Sequence, residues 1–441
     1  MVYLLVLSLM IIFIANYVLV NRDICNPSSL FCLSFLVCSF FVALFSKKWG
    51  VNLEIETYSV IVFGVLAFCI TSFFVSMVFR PVNYKNTYST SGSIKKYKLI
   101  FLLVFQLISY FLIFRNEKQL VMQYGYGNTG SISDIIYGFR TLTLDNKADL
   151  NPIISLMRRL CNTSAYIWGF LISEKLVNKI EYKKNVLILL YLNFIVSLLG
   201  NMLDGQRGNT IAIILSTMMM SYIIWNRKSD NRNKIKVKSI IKVLILFCII
   251  VSIFQGIGTL LGRVDYGNTL IDYIGIYIGA EIANLNIVIQ SGFTTNKLFG
   301  ELTFRGIYLL LGIETNGIEG LGFQYSNGYQ LGNVYTVFKD YLLDFGYVGY
   351  LFPVCFMALF STIFYLKIKN RSNYKNIDIG LILLCQVLFA VVFSFFSNKF
   401  GEIIFSKTYI SYIISVILLK IYLYDICFDN YKLVIKKTKG I

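Results

Sequence analysis

Long uninterrupted apolar runs constrain this chain more than any other feature of its sequence. They fall at roughly 2–20, 29–46, 58–79, 98–114, 153–174, 185–202, 209–225, 239–260, 347–366, 378–396 and 405–423. Several reach or approach the ~20 residues a helix needs to cross ~30 Å of hydrocarbon. A water-soluble core has no room for so many apolar stripes. With the bilayer as solvent, every backbone polar group must be satisfied internally, so the segments are helices. Composition agrees: 56% of residues are hydrophobic and 15% charged, against roughly a quarter charged in a soluble domain. The expectation is an all-α, polytopic transmembrane bundle of about 11–12 spans, one integral membrane domain over 1–441. Outer loops are expected at 115–152 and, larger and partly helical, at 261–346. The run beginning at Met1 has no basic leader and no small-residue cleavage site, and reads as an uncleaved first helix.

The net charge of +18 does not indicate nucleic acid. Lys and Arg cluster in short segments between the apolar runs, as at Lys95, Lys96 and Lys98, at Lys175 to Lys184, at Arg227 to Lys238, at Lys367 to Lys375 and in the tail. By the positive-inside rule these belong in the cytoplasm, with the C-terminus. The remaining connections then face outward. Lys47-Lys48 is the pair that stands against this assignment.

Nine cysteines are scattered singly, mostly within apolar runs, and histidine is absent. The cysteines read as small apolar fillers, and imidazole chemistry is excluded. There is no phosphate-binding loop, no dinucleotide fingerprint and no zinc-protease motif. No cofactor and no metal are expected.

Four constellations remain. Gly205-Gln206-Arg207-Gly208-Asn209-Thr210 precedes an apolar run. Glycines allow a tight turn, Asn209 or Thr210 can cap the helix, and a helix N-terminus beside a guanidinium suits a phosphate or pyrophosphate; an ordinary hairpin with a snorkelling arginine fits too. Arg158-Arg159 lies within or at the mouth of the fifth run, facing an anionic ligand or merely the interface. Gly300 to Gly306 carries Glu301 and Arg305, which either pair at i, i+4 or serve an acceptor hydroxyl and a phosphate. Gly332 to Gly349 carries Tyr335, Lys339, Asp340, Tyr341 and Asp344. Its tyrosines can stack on sugars, and Asp340 and Asp344 share a helical face; an amphipathic entry helix with belt tyrosines is the plainer alternative. The nearly apolar stretch Ile271 to Gln290, interrupted by Asp272 and Glu281, reads as a helix at, or dipping into, the outer interface.

These residues resemble the Wzy-type O-antigen and capsule repeat-unit polymerases. The likeness covers most of the chain as architecture: many spans, a basic tail and a large outer loop in the second half. Its motifs are Gly205 to Gly208, Asn333-Val334-Tyr335-Thr336, Asp344-Phe345-Gly346-Tyr347-Val348-Gly349 and the early Asn26-Pro27-Ser28. The resemblance implies a GT-C-like glycosyltransferase that is metal-independent and sits in a bacterial plasma membrane. It would join oligosaccharides carried on undecaprenyl diphosphate, beside membrane lipid, a flippase and a chain-length regulator. On that likeness Arg207 matches the diphosphate-holding arginine, with Arg305 and Arg263 as further contacts. Arg158, Arg159, Glu281, Tyr335, Lys339, Asp340 and Tyr341 would bind substrate. The absence of histidine sets the chain apart from O-antigen ligases and leaves any base to Glu281, Glu301, Asp340 or Asp344. A transporter or flippase of the same lipid-linked sugar, and a non-catalytic envelope scaffold, are the alternatives.

Overall fold

The computed structural model describes residues 1–79, 94–126, 130–144, 147–148, 150–203, 205, 208–228, 270–296, 298–315, 322–369, 371, 374, 376–429 and 432–435. The expected span 239–260, Arg207 and Arg263 lie outside the described residues. In chain order the helices are α1 (Val2–Leu19), α2 (Pro27–Trp49), α3 (Ile55–Val78), α4 (Lys96–Tyr124), α5 (Ile132–Leu144), α6 (Pro152–Asn178), α7 (Lys184–Gly200) and α8 (Gly208–Lys228). They continue with α9 (Leu270–Ser291), α10 (Arg305–Leu310), α11 (Val337–Gly349), α12 (Leu351–Lys369), α13 (Ile379–Val392), α14 (Lys399–Ile404) and α15 (Lys407–Lys420). Two hairpins, β1 (Gln324–Ser326) with β2 (Tyr329–Gly332) and β3 (Ile426–Asp429) with β4 (Lys432–Ile435), a 3-10 turn at Phe393–Phe395 and a π-helical segment Ile421–Asp425 that prolongs α15 complete the described elements. Eight of these helices are long and apolar enough to cross a membrane. The protein is an all-α, multi-pass membrane protein.

Contacts gather the chain into two compact units. The first comprises Met1–Asn83, Asn268–Asn370 and Gln386–Ile410; the second comprises Tyr84–Gly267, Arg371–Cys385 and Ser411–Ile441.

In the first unit α2, α3 and α12 share a core of Phe31, Phe35, Phe68, Val354 and Met357. Asn26 caps α2, its side chain accepting from Ser28 N at 3.1 Å, with Pro27 in the first helical position, where no amide hydrogen is needed. At the same end the buried Asp23 accepts from Tyr365 Oη at 2.7 Å and pairs with Lys369.

The expected loop 261–346 is largely folded into this unit. Helix α9 packs against α2: a Cβ on Gly279 would lie 3.1 Å from Val42 N, and one on Gly275 would lie 2.5 Å from the Phe45 ring. Small residues let helices approach this closely where lipid supplies no hydrophobic drive. Both ends of α9 are tied to the α2–α3 connection. Asp272 pairs with Lys48 at the end of α2. Asn286 accepts from Glu54 N at 2.9 Å and Thr57 Oγ1 at 2.8 Å, and Gln290 donates to Glu54 at 2.8 Å. Long and apolar enough to span, α9 packs along α2 and is tied near its C-terminal end to the α2–α3 connection. Lys48, the residue at odds with the charge rule, has its charge answered by Asp272. The hairpin Gln324–Gly332 turns at Asn327-Gly328, both at positive φ, as two-residue hairpin turns require. It donates from Ser326 Oγ to Trp49 O at 2.6 Å and from Asn327 Nδ2 to Lys48 O at 3.0 Å. Carbonyls orphaned at the end of α2 are satisfied this way.

In the second unit α4, α6 and α7 meet along a polar seam. Gln106 lies 2.9 Å from Ser164 Oγ, and Asn193 donates to Leu99 O at 3.2 Å. Helix α4 extends to Tyr124, beyond the expected end of its span, and α5 follows, so the expected outer loop 115–152 is mostly helical. The described cysteines are free, and all but Cys355 are buried.

Candidate functional site

Two groups of charged side chains stand out, one in each unit.

In the first unit the group is built on α11. Its N-terminus starts well inside the bundle: the Phe338 ring packs on Gly64, where a Cβ would lie 2.3 Å away, and against Phe35. Gly64 is about 13 Å of helix rise below the start of α3. The helix breaks at Gly346, at φ 67° and ψ −174°, a conformation open to glycine alone. Lys339 and Asp340 form an ion pair at 2.8 Å with little exposure, and the Lys339 ammonium lies 5.2 Å from the centre of the Tyr335 ring. One turn on, Asp344 receives Asn296 Nδ2 at 2.8 Å, Leu302 N at 3.1 Å, Thr303 N at 2.7 Å and Thr303 Oγ1 at 2.6 Å. Its carboxylate holds the turn 296–304.

That turn packs backbone to backbone on α14. A Cβ on Gly401 would lie 2.5 Å from Thr303 O, and one on Gly306 would lie 2.2 Å from Phe405 O. Gly306→Val forces a backbone apart where no side chain can yield. It is expected to destabilise the protein by about 1–3 kcal/mol, measured by thermal unfolding in detergent. Asn398 caps α14, accepting from Gly401 N at 3.1 Å, and Lys399 pairs with Glu402. Asp340 feels Glu402 and Asp344 as like charges. Burial raises its pKa above the ordinary carboxylate value; Lys339 opposes the shift, and Glu402 and Asp344 add to it.

The structure brings Lys339, Asp340, Asp344, Glu301 and Arg305 into this one unit and redefines several of them. Asp340 and Asp344 share the expected face of α11. Glu301 and Arg305 do not share a helix, since α10 begins at Arg305, and no ion pair joins them among the described residues. Glu301 is buried; Arg305 is half-buried and its Nε has no hydrogen-bond partner. The tyrosines are not open sugar platforms. Tyr341 is 1% exposed in the apolar core. Tyr335 is buried, its hydroxyl accepting from Gln324 at 2.9 Å. Period-3.6 reasoning could not separate a belt tyrosine from a core one. Glu281 is 1% exposed in the middle of α9, and its Oε2 has no hydrogen-bond partner. Asn296, Asn398, Lys399 and Glu402 were missed. For Asn398, Lys399 and Glu402 the only sequence signal was polarity in the short connection between two apolar runs; Asn296, in the long loop 261–346, carried none.

In the second unit the group lies where α5 and the start of α6 meet the turn before α8. A Cβ on Gly205 would lie 3.1 Å from Arg140 Cβ and 3.2 Å from Ile136 O. Helix α6 begins at Pro152, capped by Asn151, so Arg158 and Arg159 are both inside the helix and not at its mouth. Arg158 pairs with Glu117 of α4, which is fully buried, and lies 5.5 Å from the centre of the Phe139 ring. Arg159 donates to Ser411 Oγ at 3.3 Å and Ser155 Oγ at 3.0 Å, with no carboxylate partner among the described residues. Among the described residues its charge is met by hydroxyl dipoles. Neither Asn209 nor Thr210 acts as the expected cap: α8 begins at Gly208, and the Thr210 hydroxyl turns to Leu198 O at 3.4 Å. Arg140 was missed, because no pattern within α5 marks it. Only the approach of the distant Gly205 does.

Compared with known proteins, the chain matches no family model, no curated protein and no solved structure.

Proposed function

We propose that this protein is a GT-C-like glycosyltransferase of the Wzy type. It polymerises undecaprenyl-diphosphate-linked oligosaccharide repeat units into O-antigen or capsular polysaccharide at the outer face of a bacterial plasma membrane, with its C-terminus in the cytoplasm. One observation carries the proposal: Arg159, set inside a helix of a membrane protein, has hydroxyl partners and, among the described residues, no carboxylate. A guanidinium so placed calls for an anion, and its fork of donors suits a diphosphate. Arg140, whose Cβ lies close to Gly205, belongs to the same unit. Within the first unit, taken by itself, α11 carries a partly exposed carboxylate and an ammonium, and Asp344 holds a turn in place. The chemistry asked of the protein is positioning, proton acceptance and stabilisation of a departing diphosphate. A flippase and a chain-length regulator are the expected partners.

The test is polymerisation by the purified protein from defined lipid-linked repeat units, scored as a ladder on a gel. The wild type is expected to give ladders. Arg159→Ala and Arg207→Ala are each expected to lower ladder formation by about 10²-fold or more, the usual effect of losing a group that stabilises transition-state charge, while single-unit surface sugar persists in cells. Full-length polymer in normally expressed variants would remove both arginines from the site. Transport of the lipid-linked sugar is the second reading, favoured by Glu281, a carboxyl buried in an apolar helix whose Oε2 has no hydrogen-bond partner. Repeat units trapped on the cytoplasmic face of a deletion strain would decide for transport.

A further inference from the structure

The geometry of α11 assigns the proton-accepting step to Asp340, with Asp344 as a positioning residue one turn behind it; this rests on the polymerase reading proposed above. Four carboxylates were open candidates for the base. Asp344 is removed by its partners: three N–H groups and one hydroxyl already converge on its two oxygens. Each donates to the carboxylate, so its oxygens are already occupied in holding the turn. Glu281 is sealed at 1% exposure between α9 and α2, near Cys38. Glu301 is 3% exposed in the turn. Asp340 keeps 14% of its side chain exposed and has one ion-pair partner, Lys339, through Oδ1 at 2.8 Å.

Its surroundings suit a base. The charged groups facing it are Lys339 and Asp344 on its own helix and Glu402 from α14, itself paired with Lys399. Burial and the two neighbouring carboxylates make its charged form harder to keep, which strengthens it as a proton acceptor, while Lys339 holds the side chain in place. In the step, the acceptor hydroxyl gives its proton to Asp340. The freed oxygen forms a bond to the anomeric carbon of the donor chain. The bond from that carbon to the lipid diphosphate breaks, and its electron pair leaves with the diphosphate. No oxidant or further reactant enters.

The experiment uses the full chain in detergent or nanodiscs with defined undecaprenyl-diphosphate-linked repeat units. Wild type, Asp340→Asn, Asp340→Glu and Lys339→Gln are compared across pH. A base works when deprotonated, so wild-type activity rises with pH, and burial places that limb above the ordinary carboxylate range. Asp340→Asn is expected to lose about 10²–10⁴-fold in turnover per folded molecule, with the folded fraction measured by thermal unfolding because the substitution also takes the ion-pair partner from Lys339. Asp340→Glu keeps measurable turnover with a displaced limb. Lys339→Gln moves the limb to higher pH, because it removes the cation that favours the charged form. Wild-type protein that makes no ladder sinks the polymerase reading itself. Wild-type ladders with Asp340→Asn retained within about threefold would overturn the assignment of Asp340 alone. Should Asp340→Asn fail to fold, an unmoved limb in both Asp340→Glu and Lys339→Gln overturns it equally.

Discussion

Asp344→Ala is expected to detach the turn 296–304 and abolish polymer. The substitution removes the acceptor for Leu302 N, Thr303 N, Thr303 Oγ1 and Asn296 Nδ2 together. A buried donor left without a partner costs about 1–3 kcal/mol. Water entering the gap recovers part of that, so the net loss is about 3–5 kcal/mol, among the larger effects of single substitutions. Thermal unfolding in detergent measures it, and proteolysis between 292 and 315 reports the freed turn. Asp344→Asn is expected to fall between wild type and Ala. It keeps the shape and one acceptor oxygen but turns an NH2 group on donors. An Ala variant with wild-type melting and an uncut turn would show that the four bonds do not hold this segment.

Breaking the Glu117–Arg158 pair from the acidic side should be the second large effect. Glu117 is fully buried in α4, and the Arg158 side chain is 14% exposed. Glu117→Ala takes the carboxylate partner from a guanidinium inside the bundle, at a cost of about 3–5 kcal/mol. Arg158→Met strands the carboxylate and should cost a similar amount. Removing both, as Glu117→Ala with Arg158→Met, is expected to recover more than half of either loss, because no buried charge remains. The same set separates two neighbouring arginines. If Arg158 serves the bundle and Arg159 serves the substrate, the double variant still polymerises, while Arg159→Ala does not. Additive losses of stability in the double variant would mean that the two side chains do not depend on each other.

Of the candidate groups, those whose meaning lies in local periodicity were legible in the chain. Asp340 and Asp344 lie four apart and share a face of α11. Ile271 to Gln290 is a helix despite its two carboxylates. Roles that depend on a distant partner were not legible. Tyr335 and Tyr341 look like aromatic platforms in one dimension and are packed against side chains from other segments. Glu301 and Arg305 have the spacing of a helical pair, but Gly300, at φ 63°, turns the chain before α10 begins. Lys48 broke the charge rule because Asp272, its partner, lies far along the chain. Arg140 carried no signal at all.

By itself the sequence determined that this chain folds in a bilayer as helices, since apolar runs of this length leave the backbone no other way to satisfy its hydrogen bonds. Which charges are spent within the protein was decided only by tertiary structure. A guanidinium or carboxylate has the same chemistry in every sequence, and its availability depends on whether an opposite charge or a cluster of donors from another segment reaches it first. Glu117 reaches Arg158, four donors reach Asp344, and no carboxylate among the described residues reaches Arg159.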